Sequence, residues 1–131
     1  MSRIKAARSK VALAAGAAVL AGLGVGATAA PAQAAWSDCS SGALCAYLST
    51  NGGGDPGEVF GNNNDLRQYN KFNNARSVYN NGNQCDVRIY TLLNRQGSSV
   101  VLHRGNAIYD THTWNGGMFR YGVASNVWVN C

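Results

Sequence analysis

The sequence predicts an all-β domain made of two copies of one small unit, and three observations lead there. Beyond Ala35 no stretch long enough for an amphipathic helix holds apolar positions at a 3.6 period without an intervening Gly or Asn cluster. Tyr47, Asn51 and Gly54 stand in the spacing Tyr-x3-Asn-x2-Gly, and Tyr90, Asn94 and Gly97 repeat it 43 residues later. A second pair of segments follows in the same order: Ala75, Ser77, Val78, Tyr79 and Asn81 match Ala124, Asn126, Val127, Trp128 and Asn130 at an offset of 49. A unit of about 40 residues rarely buries its apolar face alone, so each copy is expected to pack on the other. The copies run over about 39–84 and 85–131.

The first 34 residues read as a secretory signal peptide rather than as part of the fold. Arg3, Lys5, Arg8 and Lys10 form a basic start, Val11 to Gly26 an apolar stretch, and Ala32-Gln33-Ala34 a small-residue cleavage site. The apolar stretch is short of the roughly 20 residues a span needs and is diluted by Gly16, Gly22, Gly24 and Gly26. The remaining domain, 35–131, is expected to be secreted, extracellular and monomeric, with no membrane partner. Its charge is close to neutral, because the leader carries four of the eleven Lys and Arg and none of the six acidic residues, leaving 7 − 6 = +1. Arg67, Lys71, Arg76, Arg88, Arg95, Arg104 and Arg120 are spread along the chain, which argues against nucleic acid as a partner.

Within the domain, candidate strands are Leu44 to Ser49, Glu58 to Phe60, Arg76 to Asn80, Asp86 to Leu92, Ser99 to His103 and Ser125 to Val129. Turn formers separate them: Gly52-Gly53-Gly54, Asn62-Asn63-Asn64, Asn81-Gly82 and Gly116-Gly117. Leu44, Ala46 and Leu48 alternate with Cys45 and Tyr47, and Val87, Ile89 and Thr91 with Arg88 and Tyr90, so one face of each strand is expected in the core. A tyrosine ring lying on the Gly of its own folded hairpin would account for the recurring spacing.

Four cysteines, Cys39, Cys45, Cys85 and Cys131, all follow the cleavage site. An even number in an oxidising compartment implies two disulfides, with three pairings possible. Cys39 with Cys45 and Cys85 with Cys131 is the pairing adopted: the first closes a tight loop around Ser41 and Gly42, and the second ties the start of copy two to Cys131. In the chain-entropy account the larger loop is worth roughly 4 kcal/mol and the smaller roughly 2.5 kcal/mol. No Cys-x2-Cys pair supports a zinc site.

With Cys39 to Gly54, Phe72 to Asn81 and Val87 to Cys131 in view, the chain resembles a βγ-crystallin-type domain of two Greek-key motifs. It is similar in particular to the Streptomyces metalloproteinase inhibitor family, small secreted proteins with that fold. The resemblance covers essentially the whole of 35–131. It implies a two-Greek-key sandwich and an extracellular protease as partner, held by a substrate-like loop that a disulfide braces. That loop maps onto Cys85, Asp86 and Val87, with Arg88 as a flanking contact. Thermolysin-like enzymes favour a bulky apolar residue just after the scissile bond. A bond after Cys85 places Asp86 there, and a bond after Asp86 places Val87. An unpaired carboxylate in an apolar pocket costs several kcal/mol, which disfavours the first register.

The fold also implies a calcium question. The candidate site, Asn73, Asn74 and Ser77, carries Arg76 where a hydroxyl would help, and a guanidinium repels a divalent cation. Neither metal nor cofactor is expected. Nor is catalysis: Asp110 and His112 could pair, but a local hydrogen bond is the simpler reading, and no nucleophile turn or phosphate loop exists. Trp114 is a possible partner contact if exposed. Two further function classes stay open beside inhibition: a module, including a toxin-like one, recognising cell wall or a competitor's surface, and a structural stress protein stabilised by calcium.

Overall fold

The computed structural model describes residues 36–131; the expected signal segment 1–34 and Ala35 lie outside the described residues. Among the described residues, seven short strands form two antiparallel sheets: β1 (Leu44–Tyr47), β2 (Gly57–Val59), β3 (Ser77–Asn80), β4 (Asp86–Leu92), β5 (Gln96–Leu102), β6 (Ala107–Ile108) and β7 (Ser125–Val129). One sheet has the order β2-β1-β3-β6 and the other β5-β4-β7. One helical turn, α1 (Asn70–Asn73), sits between β2 and β3.

Each copy lends a segment to the other copy's sheet. β6 belongs to the second copy, yet Ala107 and Ile108 pair with Tyr79 and Val78 of β3. Asn63 of the first copy pairs with Asn126 of β7. This exchange closes two Greek keys around one core, formed by Leu44, Ala46, Leu66, Phe72, Val78, Val87, Ile89, Ile108, Phe119 and Val123 and their neighbours.

The repeated tyrosine segments share a backbone conformation. Asn51 and Asn94 take φ of 57° and 58°, and Gly54 and Gly97 take φ of 84° and 80°. Asn tolerates this left-handed region and Gly enters it freely, so the spacing records two turns that need those residues. Neither tyrosine ring is the nearest neighbour of a Cβ built at its glycine. A Cβ at Gly54 would meet nothing within 4 Å, and one at Gly97 would meet Thr91 and Leu92. Tyr47 instead meets Trp36 edge-on at 5.3 Å.

A buried serine closes each folded hairpin. Ser77 Oγ accepts from the Gly52 N–H at 2.9 Å and donates to the Ser49 carbonyl at 2.7 Å. Ser125 Oγ accepts from the Arg95 N–H at 2.8 Å and donates to the Leu92 carbonyl at 2.7 Å. The structural offset between these segments is therefore 125 − 77 = 48, one less than matching residue types suggests. A one-residue slip in a strand exchanges its faces. Trp128 accordingly pairs with Val87 and packs on the core, while Tyr79 pairs with Cys45 on the outer side of its sheet.

β1 is buried on both faces, where alternation predicts one. Trp36 explains the difference: with Cys39, Ala43, Cys45, Tyr47 and Tyr79 it builds a second small apolar cluster outside the sheet. Burial, followed by the nearby charges of Asp38 and Glu58, pushes the Tyr47 phenol up to about 12. Both expected disulfides, Cys39–Cys45 and Cys85–Cys131, are formed.

Removing the Ser77 hydroxyl strands the buried Gly52 N–H, and removing that of Ser125 strands the part-buried Arg95 N–H, each with a part-buried carbonyl; a buried group left unsatisfied costs about 1–3 kcal/mol. Ser77→Ala and Ser125→Ala are each expected to lower the denaturation midpoint by a free energy in that range, and by similar amounts, in urea titrations. Two variants as stable as the parent would remove the clasp from the account.

Candidate functional site

The sequence places its functional hypothesis at the junction of the copies, and the structure builds a specific object there. β3 ends at Asn80 and β4 begins at Asp86, so residues 81–85 cross from one sheet to the other. Asn83 and Gln84 are exposed, Cys85 and Asp86 half-buried, and Val87 fully buried.

This seam is braced from the first copy's disulfide loop. Gly42 N–H donates to the Asn81 carbonyl at 2.7 Å and Asn81 N–H to the Ala43 carbonyl at 2.9 Å. Asn81 Nδ2 reaches the Cys39 carbonyl at 2.8 Å, and Ser41 Oγ bonds Asn83 Oδ1 at 2.6 Å. The disulfide loop is itself fixed by Glu58 of β2, whose carboxylate accepts from the Ser40 N–H and hydroxyl at 2.6 and 3.0 Å. Glu58 also lies beside the sulfurs of Cys39 and Cys45. Those sulfurs are bonded to each other, so no thiolate remains there to hold a metal.

The second copy braces the other end. Cys85 is joined to Cys131, Arg104 Nη1 donates to the Asn83 carbonyl at 2.6 Å, and Asn80 Nδ2 reaches the Cys85 carbonyl at 3.4 Å. Asp86 is held by three donors: His103 Nδ1 at 3.0 Å, Arg104 N–H at 3.2 Å and Asn130 Nδ2 at 3.2 Å. The His103 hydrogen bond, aided by the other two, keeps its carboxyl below the ordinary carboxylate value. Gly82 is pressed between these parts. A Cβ there would lie 2.9 Å from Asn80 Oδ1 and from the Trp128 ring.

One sequence-derived placement changes. Val87 and Arg88 are not in a loop, because they lie inside β4 with partners on both sides, Leu102 and Trp128 for Val87, Val101 and Val127 for Arg88. A bond after Asp86 would require Val87 to leave the core. Asn73, Asn74 and Ser77 do not converge on a cation: the Ser77 hydroxyl is buried in its clasp, Asn74 bonds Asn70, and Arg76 pairs with Asp110 at 3.3 Å. His112 offers Asp110 its backbone N–H at 2.9 Å, which is a local turn. Trp114 is half-buried against the core beside Phe119, away from the seam.

The sequence does not assign His103, Arg104 or Asn83 to the seam. Only the pairing of β4 with β5 brings His103 and Arg104 to Asp86, and no local spacing announces that register.

A model of peptidase inhibitor family I36 matches residues 32–102. No curated protein matches the sequence. Among solved structures, one described under the evolution of the eye-lens βγ-crystallin domain fold superposes with a TM-score of 0.58 at 21% identity, covering 81% of this chain and 95% of that one. Spherulin 3a from Physarum polycephalum gives 0.52 at 21%, covering 81% and 92%. IPSE/alpha-1 from Schistosoma mansoni eggs gives 0.54 at 19%, covering 67% and 84%. At these identities the likeness is one of fold, which is βγ-crystallin-like.

The Asp86 cluster sets an acid limit on the fold. Asp86 and Asp110 both have folded values below their ordinary 3.8. The unfolded chain therefore takes up protons first on acidification, and the stabilisation, complete above the ordinary value, is lost as pH falls through the folded values. The melting temperature is expected to drop as pH falls below about 4, and to drop less steeply in Asp86→Asn. An identical acid profile in that variant would separate Asp86 from the effect.

Proposed function

Because the chain belongs to peptidase inhibitor family I36, we propose that it is a secreted inhibitor of thermolysin-like metalloproteases and that the strip Asn83–Asp86 enters the target's cleft. The supporting observation is the bracing of this strip. Hydrogen bonds from the Cys39–Cys45 loop hold Asn81 and Asn83, and Cys131, Arg104 and His103 hold Cys85, Asn83 and Asp86. A segment already fixed in its path loses little conformational freedom on binding, and this raises affinity without additional contacts. An ordinary substrate must be ordered first.

The reading puts the reactive bond at Cys85–Asp86, the register that leaves Val87 in the core. Hydrolysis there would add one water across the bond and leave both new ends where they were, since Cys85 stays joined to Cys131 and Asp86 remains paired in β4. The amine stays beside the acyl carbon, which favours resynthesis over release. Asp86 does not present a bare carboxylate either, because His103, Arg104 and Asn130 already share its charge. The desolvation cost that counts against an unpaired carboxylate is reduced accordingly. The protein acts here as a bound, slowly turned-over substrate mimic, and the proposed localisation follows from the leader and the two disulfides.

The oxidised domain is expected to inhibit a thermolysin-like metalloprotease and to leave trypsin-like serine proteases untouched. Prolonged incubation should yield one clipped species, heavier by one water, that runs as a single band without reductant and splits into two with it. Absence of inhibition across a metalloprotease panel would refute the function. A cut outside Asn83–Asp86 would move the reactive strip.

A further inference from the structure

We infer that an open groove beside the reactive strip, with Phe60 on its wall, receives a bulky apolar side chain from the rim of the protease's active-site cleft. The inference rests on the inhibitor reading and concerns the flank of the reactive strip. The groove encloses about 400 Å³ and is bounded by Gly42, Phe60, the strip from Gly82 to Cys85, and Trp128.

Phe60 follows the last residue of β2 and is 59% exposed. Val59, its neighbour, joins the core, so the alternation of the strand turns Phe60 outward. Trp128 is held in place: its Nε1–H donates to the Gly61 carbonyl at 3.1 Å, its backbone N–H to Asn62 Oδ1 at 2.8 Å, and its ring lies over Gly82. Gly42 keeps the opposite wall low. Its φ of 89° excludes ordinary residues, and a Cβ there would stand 3.3 Å from Asn83 Nδ2 and 3.9 Å from the Phe60 ring.

Two features commit this groove to the protease. The first is continuity, because Asn83, Gln84 and Cys85 line the groove and also form the exposed strip, so a protein seated on the strip covers the groove. The second is area. A stable protease–inhibitor complex buries about 800 Å² on each partner, far more than four residues, two of them half-buried, can offer. The protease must therefore spread onto the flanks, and these differ in chemistry. Toward β5 lie His103 and the cationic Arg104, tied to Asp86 and Asn83. Toward β7 lie Phe60 and Trp128 with an unfilled volume between them. Aromatic anchors that become fully desolvated carry most of the energy in such interfaces, while a charged flank serves as rim. Phe60 is thus a specificity-determining contact.

The test is the inhibition constant and dissociation rate of Phe60→Ala and Phe60→Glu against the metalloprotease that the parent inhibits, with Tyr121→Ala as control. Tyr121 is 78% exposed and does not line the groove. Melting temperatures should be unchanged in all three, since each residue lies outside the core. Phe60→Ala is expected to weaken inhibition by about 10- to 100-fold, chiefly through faster dissociation, with Phe60→Glu weaker still and Tyr121→Ala unaffected. A parent that inhibits while both Phe60 variants match it would overturn the groove and leave the inhibitor reading standing. A parent that inhibits no protease would overturn both.

Discussion

Neither copy of the unit can complete its sheet without the other, and this exchange is the constraint on which the rest of the structure depends. Ala107 and Ile108 cross to β3, and Asn63 crosses to β7. For those crossings to occur, the hairpin of each copy must fold back on itself, and the buried hydroxyls of Ser77 and Ser125 hold it there. Once the copies are interlocked, the chain between them has little choice of path. The seam at 81–85 is short, spans two sheets, and meets fixed groups at both ends. Its rigidity follows from the topology and from two disulfides placed on either side of it.

The chemistry of the seam follows from where these braces attach. Asn81 and Asn83 spend their polar groups on the Cys39–Cys45 loop and on Arg104, which leaves Gln84 and the Cys85–Asp86 peptide as the outward part. The same braces decide which residue is out of reach. Val87 is paired on both sides and buried, so the strip that a partner can engage ends at Asp86. A polar flank with His103 and Arg104 and an aromatic flank with Phe60 then give the surface a direction.

Much of the fold was legible in the sequence, and particular residues show why. Asn51, Gly54, Asn94 and Gly97 advertise left-handed turns because few other residues tolerate that backbone, so local chemistry exposes them. Val87 and Ile89 alternate with Arg88 and Tyr90 and fall on the expected faces. The serine match failed by one residue, since Ala and Asn coincidences reward an offset of 49 while the hydroxyl geometry demands 48. β6 went unread because two residues, Ala107 and Ile108, carry no periodicity. Around the seam, the cysteine pairing was legible, whereas the placement of Phe60, His103 and Arg104 beside it became visible only through pairings between distant strands.

The central claim is that the strip Asn83–Asp86 is held in its binding conformation before any protease arrives. Backbone ¹⁵N relaxation of the free, oxidised domain measures this directly. The account predicts order parameters for Asn83, Gln84 and Cys85 near 0.85, equal to those of β4. Values below about 0.6 at these positions, with β4 rigid, would contradict it.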